Sequence, residues 1–191
     1  MSFQDIEVAQ IAAVSENHCI GKNNDLPWHI KADLQHFKKM TADSKKAGQD
    51  IQGIVIMGRK TFESMASKPL PKRMNVIVTT QTDFAEANNL SDCQNIIVAQ
   101  SLNDALAKAT DLAKKMALPT VWVIGGERLF TEALAVTDRI ELTHVATTVD
   151  HGDAFYPKLP DDFNESQKSE TMVDDNSGLS FQFVTYQRRS K

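Results

Sequence analysis

In "LPWHIKADLQHFKKM", residues 26–40, an acid stands where a helix should be apolar. Wound at the helical period, the stretch gathers Ile30, Leu34, Phe37 and Met40 on one face. Asp33 falls among them rather than beside Lys31, Gln35, Lys38 and Lys39. Leu26 precedes Pro27 and is biased to extended backbone, so the helix starts near His29 to Lys31 and Asp33 sits in its first turn. A first-turn acid meets the helix dipole and needs no further reason. A buried functional acid is the rarer alternative. On this stretch alone both readings stand.

Two glycine-bearing stretches offer a second kind of chemistry. "VIMGRKT" runs strand, Gly58, two cations and a hydroxyl at the opening of a helix. Backbone N–H groups there attract phosphate, and Arg59 offers a planar fork that grips it through two bonds. The span Gly53 to Thr61 is not a P-loop, because a strand, "IVIM", occupies the place of the loop and Arg59 intrudes before Lys60. In "VIGGERLF" a buried strand runs into Gly125 and Gly126 and straight into a helix. A lone glycine pair more often makes only a turn, yet it permits close approach of a diphosphate. Two such cradles on neighbouring strand ends together suit a dinucleotide with an additional phosphate.

The elements that must position these groups alternate. Apolar runs "VAQIAAV", "GIVIMG", "NVIVTT", "NIIVA", "TVWVIGG" and "RIELTHVAT" are separated by helical patterns, including short ones from Lys60 and Arg128 and a long one from Leu102. Ser101 is the expected N-cap of the long helix, with Asp104 three residues on and Pro119 stopping it. Continuous apolar runs suit strands covered on both faces, so the order reads as α/β with a mainly parallel sheet. "SQKSETMV", a "DDNSG" turn and "LSFQFVTYQ" alternate instead, and predict a closing antiparallel hairpin. Residues 42–53 are polar and long for a connection, hence a mobile surface loop or an embellishment.

Bulk properties narrow the field. The 191 residues support one domain with a substantial core. A net charge of −4 brings no basic excess to suit nucleic acid, and no apolar run reaches the length of a membrane span. With no secretory pattern at the N-terminus, a cytoplasmic location is expected. Cys19 and Cys93 stand far apart and the five histidines lack ligand spacing, so neither a disulfide framework nor a metal is expected.

"IAAVSENHCIGKNNDLPW", the acid-bearing helix, "VIMGRKTFES", "PLPKRMNVIV", "VIGGERLF" and "ELTH" occur in this order from Ile11 towards the final hairpin. Together they resemble a bacterial, chromosomal-type dihydrofolate reductase. The resemblance implies a three-layer α/β fold with a central, mostly parallel, eight-stranded sheet, helices on both faces, and a single domain over 1–191 in which residues 54–118 form an adenosine-binding subdomain. It implies NADPH as cofactor, dihydrofolate as substrate, antifolates as inhibitors, and a monomer.

Position by position, Asp33 matches the family's buried carboxylate that holds the pteridine, and Thr143 the hydroxyl bonded to it. Ile11, Leu34, Phe37, Met65 and Leu70 match the walls around the pterin and aminobenzoyl groups. Arg73 matches the clamp on the glutamyl α-carboxylate, with Lys68 in place of a second basic group. Since such a carboxylate contacts the far edge of the ring, water admitted near Trp28 and Leu26 is expected to deliver the proton. On the cofactor side, Ala13 and Ile20 match the nicotinamide seat. Arg59, Lys60, Thr61, Thr79, Thr80 and Gln100 correspond to the adenosine half and its 2′-phosphate. Ile124, the cis-linked pair Gly125–Gly126, Glu127, Arg128 and Leu129 correspond to the diphosphate side. Gly21 to Trp28, including Asp25, correspond to a loop that closes over both ligands, and Asp153 to an acid that steadies it.

The chain departs from the family pattern at Phe62, where tryptophan is common, at Phe130, where tyrosine is common, at Lys68, and in the length of the 42–53 loop. The resemblance implies hydride transfer to C6 of 7,8-dihydrofolate and a proton to N5. Two rivals are a reductase of a ribosylated pyrimidine in riboflavin synthesis, with the same fold and cofactor, and a non-catalytic folate or nucleotide binding protein.

Overall fold

The structure, a computed structural model, describes residues 3, 5–46 and 48–189. Residues 1, 2, 4, 190 and 191 of the expected single domain, and Ala47 in the long polar loop, lie outside them. In chain order the elements are β1 (Glu7–Val14), β2 (Cys19–Gly21), α1 (Lys31–Met40), β3 (Gly53–Gly58), α2 (Arg59–Ser64), β4 (Arg73–Val78), α3 (Phe84–Ala87) and β5 (Ile96–Ala99). They continue with α4 (Leu102–Met116), β6 (Thr120–Val123), α5 (Glu127–Ala133), β7 (Arg139–Val145), β8 (Ala154–Phe155), β9 (Phe163–Lys168), β10 (Met172–Val173) and β11 (Ser180–Arg188).

The main sheet has the order β10-β11-β7-β1-β6-β3-β4-β5. From β7 to β5 every pairing is parallel. β11 runs antiparallel to β7, and both β9 and β10 run antiparallel to β11. The expected eight-strand path is present, and β9 adds a ninth strand beside it. A separate two-stranded ribbon pairs β2 with β8.

Period-two alternation sorts the strands into two cores. Ile54 and Ile56 face one layer, where α4 contributes Leu102, Ala105, Leu106, Ala109 and Ala113, and α5 contributes Leu129 and Phe130. Val55 and Met57 face the other, covered by Phe62 of α2 and Phe84 of α3, with Phe37 and Met40 of α1 packed against them. Burying one such phenylalanine stabilises the fold by roughly 1.5–3 kcal/mol. The three-layer arrangement follows from that sorting.

Helix ends show which elements are locally determined. Ser101 Oγ accepts a hydrogen bond from Asp104 N at 3.1 Å, and Ala117 takes the left-handed conformation that ends α4 ahead of Pro119. α1 starts at Lys31 after an uncapped Ile30, and none of its residues is fully buried. Its place depends on a few contacts rather than on deep packing. The 42–53 loop is pinched at its neck, with Asp43 N donating to Gln52 O at 2.7 Å and Gln52 N to Lys72 O at 2.8 Å. A Cβ on Gly53 would collide with the Thr41 carbonyl, so glycine lets the chain re-enter the sheet there. No helix among the described residues is long and apolar enough to cross a membrane.

Candidate active site

The acid of α1 meets the sheet at β7. Thr143, buried near the C-terminal end of β7, donates its hydroxyl to Asp33 Oδ1 at 2.6 Å. No other donor reaches the Asp33 carboxylate among the described residues. Burial pushes its pKa up from the ordinary carboxyl value, and the Thr143 hydrogen bond pulls in the opposite direction without cancelling the effect. A half-buried carboxylate with one protein partner keeps most of its acceptor capacity for a ligand. Close by in the fold, Trp28, Ile30 and Ala13 form a small cluster with Val145 and Phe181. The buried Trp28 Nε1 finds no acceptor among the described residues, leaving a donor for a bound molecule.

The glycine stretches lie side by side. β3 pairs with β6, and Gly58 N donates to Gly125 O at 2.8 Å, so the two cradles form one surface at the carboxyl ends of adjacent strands. The Gly125–Gly126 peptide is cis, as the resemblance implies. A Cβ on Gly126 would meet only the Thr61 hydroxyl, at 3.3 Å. The main chain is thus bare on that side, and Gly125 has a φ of 128° that side chains rarely adopt. This surface fits a dinucleotide diphosphate. Asp33, Thr143, Gly58 and Gly125 share the same edge of the sheet, the place where ligands collect in parallel α/β folds.

Other expected residues divide by environment. Ile11, Phe37, Met65 and Leu70 belong to one apolar cluster. Leu34 and Leu26 are exposed, each at 43 %. Arg73 is only 4 % exposed, and its guanidinium is held by Thr41 Oγ1, Pro71 O and Lys38 O. No carboxylate pairs with it among the described residues, and burial lowers its pKa. A groove of about 300 Å³ beside it is lined by Lys38, Lys39 and Lys72, so an anion would find several cations there. Lys68 is exposed.

On the cofactor side, Arg59 pairs with Glu63 at 3.1 Å, and Lys60, Thr80 and Gln100 are exposed. Thr79 is buried and accepts from Gln81 N, Ile124 is half-buried, and Ile20 packs beside the first core. The Leu129 side chain enters that core, which leaves its backbone for any ligand. Arg128 is exposed and paired with Glu132 at 2.6 Å.

The loop from Gly21 to Trp28 is tied to the segment near residue 150. Asp153 Oδ2 accepts from Asn23 N at 2.7 Å, Asp153 N donates to Gly21 O at 3.1 Å, and Lys22 Nζ donates to Asp150 O at 2.7 Å. Asp25 turns inward on its own loop and accepts from Leu26 N.

Comparison with known proteins decides the family. A sequence model described as dihydrofolate reductase matches residues 7–188. The chain is 36 % identical over 183 residues to dihydrofolate reductase type 3 of Salmonella typhimurium, covering 95 % of this chain and 98 % of that protein. It is 33 % identical over 184 residues to the dihydrofolate reductase of Neisseria meningitidis serogroup A, covering 96 % and 99 %. It is 32 % identical over 184 residues to that of Bacillus subtilis, covering 96 % and 95 %. The chain belongs to the dihydrofolate reductase family.

It is therefore an oxidoreductase that reduces dihydrofolate to tetrahydrofolate. Family motifs do not point to every residue wired into this fold. Gln10 is fully buried in β1, where Tyr156 donates to its Oε1 and its Nε2 donates to Phe130 O and to Thr137 Oγ1. An amide inside the apolar run "VAQIAAV" was the available signal, since a buried side-chain amide requires partners. A cavity of about 560 Å³ lies away from the glycine surface, between α1 and strands β7, β9 and β11, with His36, Glu141 and Phe183 in its wall. No group of three or more metal-binding side chains is assembled among the described residues.

Proposed function

We propose that NADPH is the reductant and that Asp33 anchors the pterin ring of dihydrofolate. The single observation that supports this most is a half-buried carboxylate with one protein donor, on the same sheet edge as a bare glycine pair. When bound, NADPH supplies a hydride for C6 of dihydrofolate. The backbone of Gly58, Gly125 and Gly126 would hold its diphosphate, Ala13 and Ile20 would seat the nicotinamide, and Arg59, Lys60, Thr61, Thr79 and Thr80 would hold the phosphorylated adenosine half.

Asp33 accepts hydrogen bonds from the 2-amino group and neighbouring ring nitrogen of the substrate, and Thr143 fixes the carboxylate for that pairing. Its negative charge favours protonation of the pterin, which prepares N5 to receive a proton. Because Asp33 grips the far edge of the ring, water admitted beside Leu26 and Trp28 delivers that proton, with the free indole N–H as a partner. Arg73 takes the α-carboxylate of the glutamyl tail, supported by its burial without a counter-charge. Closure of the 21–28 loop excludes water and aligns the two rings.

The same reading makes the protein a cytoplasmic monomer that antifolates inhibit, with residues 54–118 as an adenosine-binding subdomain. The test is loss of NADPH absorbance on addition of dihydrofolate, run beside NADH and beside a ribosylated aminopyrimidine. Oxidation that depends on dihydrofolate and favours NADPH supports the reading. Oxidation with the pyrimidine alone, or ligand binding without oxidation, refutes it.

A further inference from the structure

The segment from 150 to 156 acts as a strap across the site. Beyond its ties to the 21–28 loop, Tyr156 N donates to His18 O at 2.8 Å, just before β2, and β8 pairs with β2. The strap is also fastened to the helix after the glycine pair. Glu127 Oε2, in the first turn of α5, accepts from Phe155 N at 2.9 Å. The ring of Tyr156 packs on that of Phe130, with centroids 4.9 Å apart and planes at 55°. The Phe130 ring in turn reaches Gly125, its Cε2 lying 3.4 Å from where a Cβ would stand.

The Tyr156 hydroxyl is bonded to Gln10 Oε1 at 2.5 Å. That direction is fixed. Gln10 Nε2 spends its two hydrogens on Phe130 O at 3.0 Å and Thr137 Oγ1 at 2.9 Å, and Thr137 passes its own hydrogen to Ala133 O. Only an acceptor therefore remains for Tyr156, which must donate. Each member is buried, so the chain of bonds has no water to compete with it. It connects β1, the α5 helix and the strap at one point beneath Gly125.

We propose that Tyr156 is a positioning residue for hydride transfer: its hydroxyl on Gln10 and its ring on Phe130 hold the glycine-pair surface and the 21–28 loop in one fixed relation. This rests on the proposal that the nicotinamide cofactor occupies that surface. Sequence offers a reason for the arrangement, because Phe130 lacks a hydroxyl of its own and the neighbouring ring at Tyr156 carries one. The polar contact that fixes the aromatic floor thus comes from the strap rather than from α5.

The decisive comparison sets Tyr156→Phe beside a stability control, Thr110→Val, which removes the buried Thr110 hydroxyl that donates to Leu106 O at 2.7 Å in α4. Tyr156→Phe keeps the ring and strands the amide oxygen of Gln10, whereas Thr110→Val gives up a buried hydroxyl bond of comparable worth inside α4. Three quantities are read: urea stability, NADPH dissociation by fluorescence titration, and hydrogen exchange of peptides 18–28 and 125–131 without ligand. Loss of one buried bond corresponds to roughly a three- to tenfold weaker NADPH complex. The expected result is a loss of stability in both variants, with that weakening, and faster exchange in both peptides, in Tyr156→Phe alone and an unchanged KM for dihydrofolate.

NADPH weakening and faster exchange in Thr110→Val equal to those in Tyr156→Phe would make the role one of general stability and overturn the proposal. A wild-type protein that binds NADPH, with Tyr156→Phe indistinguishable from it, overturns this proposal alone. A wild-type protein that binds no NADPH overturns the cofactor reading, and this inference with it.

Discussion

Replacing Thr143 by valine isolates the contact on which the site is centred. The two side chains have nearly the same shape, Thr143 is buried in a strand paired on both sides, and valine suits a strand, so β7 should keep its register. What is lost is a 2.6 Å hydrogen bond to Asp33 Oδ1. A bond to a charged group contributes about 1.5–3 kcal/mol, and about 1.36 kcal/mol corresponds to one pH unit of the carboxyl equilibrium. Asp33 is not fully enclosed, so screening favours the lower end, about one pH unit. The direction is unambiguous: the bond favours the ionised form, and its removal lets burial raise the Asp33 pKa further. Carbon-13 titration of aspartate Cγ, assigned by the loss of one signal in Asp33→Asn, reads this directly. A titration midpoint that stays in place, or moves down, refutes the claim that Thr143 tunes the acid.

Asp33→Asn should fold and lose roughly 10²- to 10⁴-fold in turnover near neutral pH. Its stability carries an independent sign: the folded carboxyl titrates above its ordinary value of 3.8, so its favourable contribution is complete below that pH and is lost as pH rises through the folded value. The variant should therefore gain thermal stability over the wild type at pH 7 but not at pH 3.5, and an equal difference at both would contradict the assigned burial. Arg59→Ala should weaken NADPH roughly ten- to hundredfold and NADH little, as measured by fluorescence titration; equal losses would remove Arg59 from the phosphate site. Gly152→Ala places a methyl group against the buried Cys19 sulfur. It should cost about 1–3 kcal/mol in urea unfolding, most of which Cys19→Ala restores in the double variant; an additive pair would mean that the two residues do not share the space.

Much of the scaffold could be read from period and punctuation. Ser101, Asp104 and Pro119 marked the ends of α4 because capping is a local interaction, and "IVIM" announced a strand with two apolar faces that the two cores then divide. Asp33 was visible because its polarity contradicted its neighbours. The β2–β8 ribbon was not, since three residues facing two give no measurable alternation and their pairing depends on chain segments more than 130 positions apart. α3 is only four residues long and is held by Phe84 alone among its fully buried side chains. Gln10 and Tyr156 escaped for a related reason: each is ordinary in its own stretch, and only the fold brings their polar atoms together. The carboxyl of Glu127 accepts the Phe155 amide, a partner no local pattern indicates.

The place of β1 between β6 and β7 bears on how the polypeptide is made. On the ribosome β1 has neither of its lateral neighbours until residues 120–145 have been synthesised. A nascent chain halted before that point exposes an apolar ribbon with two unpaired borders, the kind of surface that chaperones cover and that aggregates grow upon. The middle of the sheet is thus finished late, and the acid and its threonine, 110 positions apart, meet only as it closes.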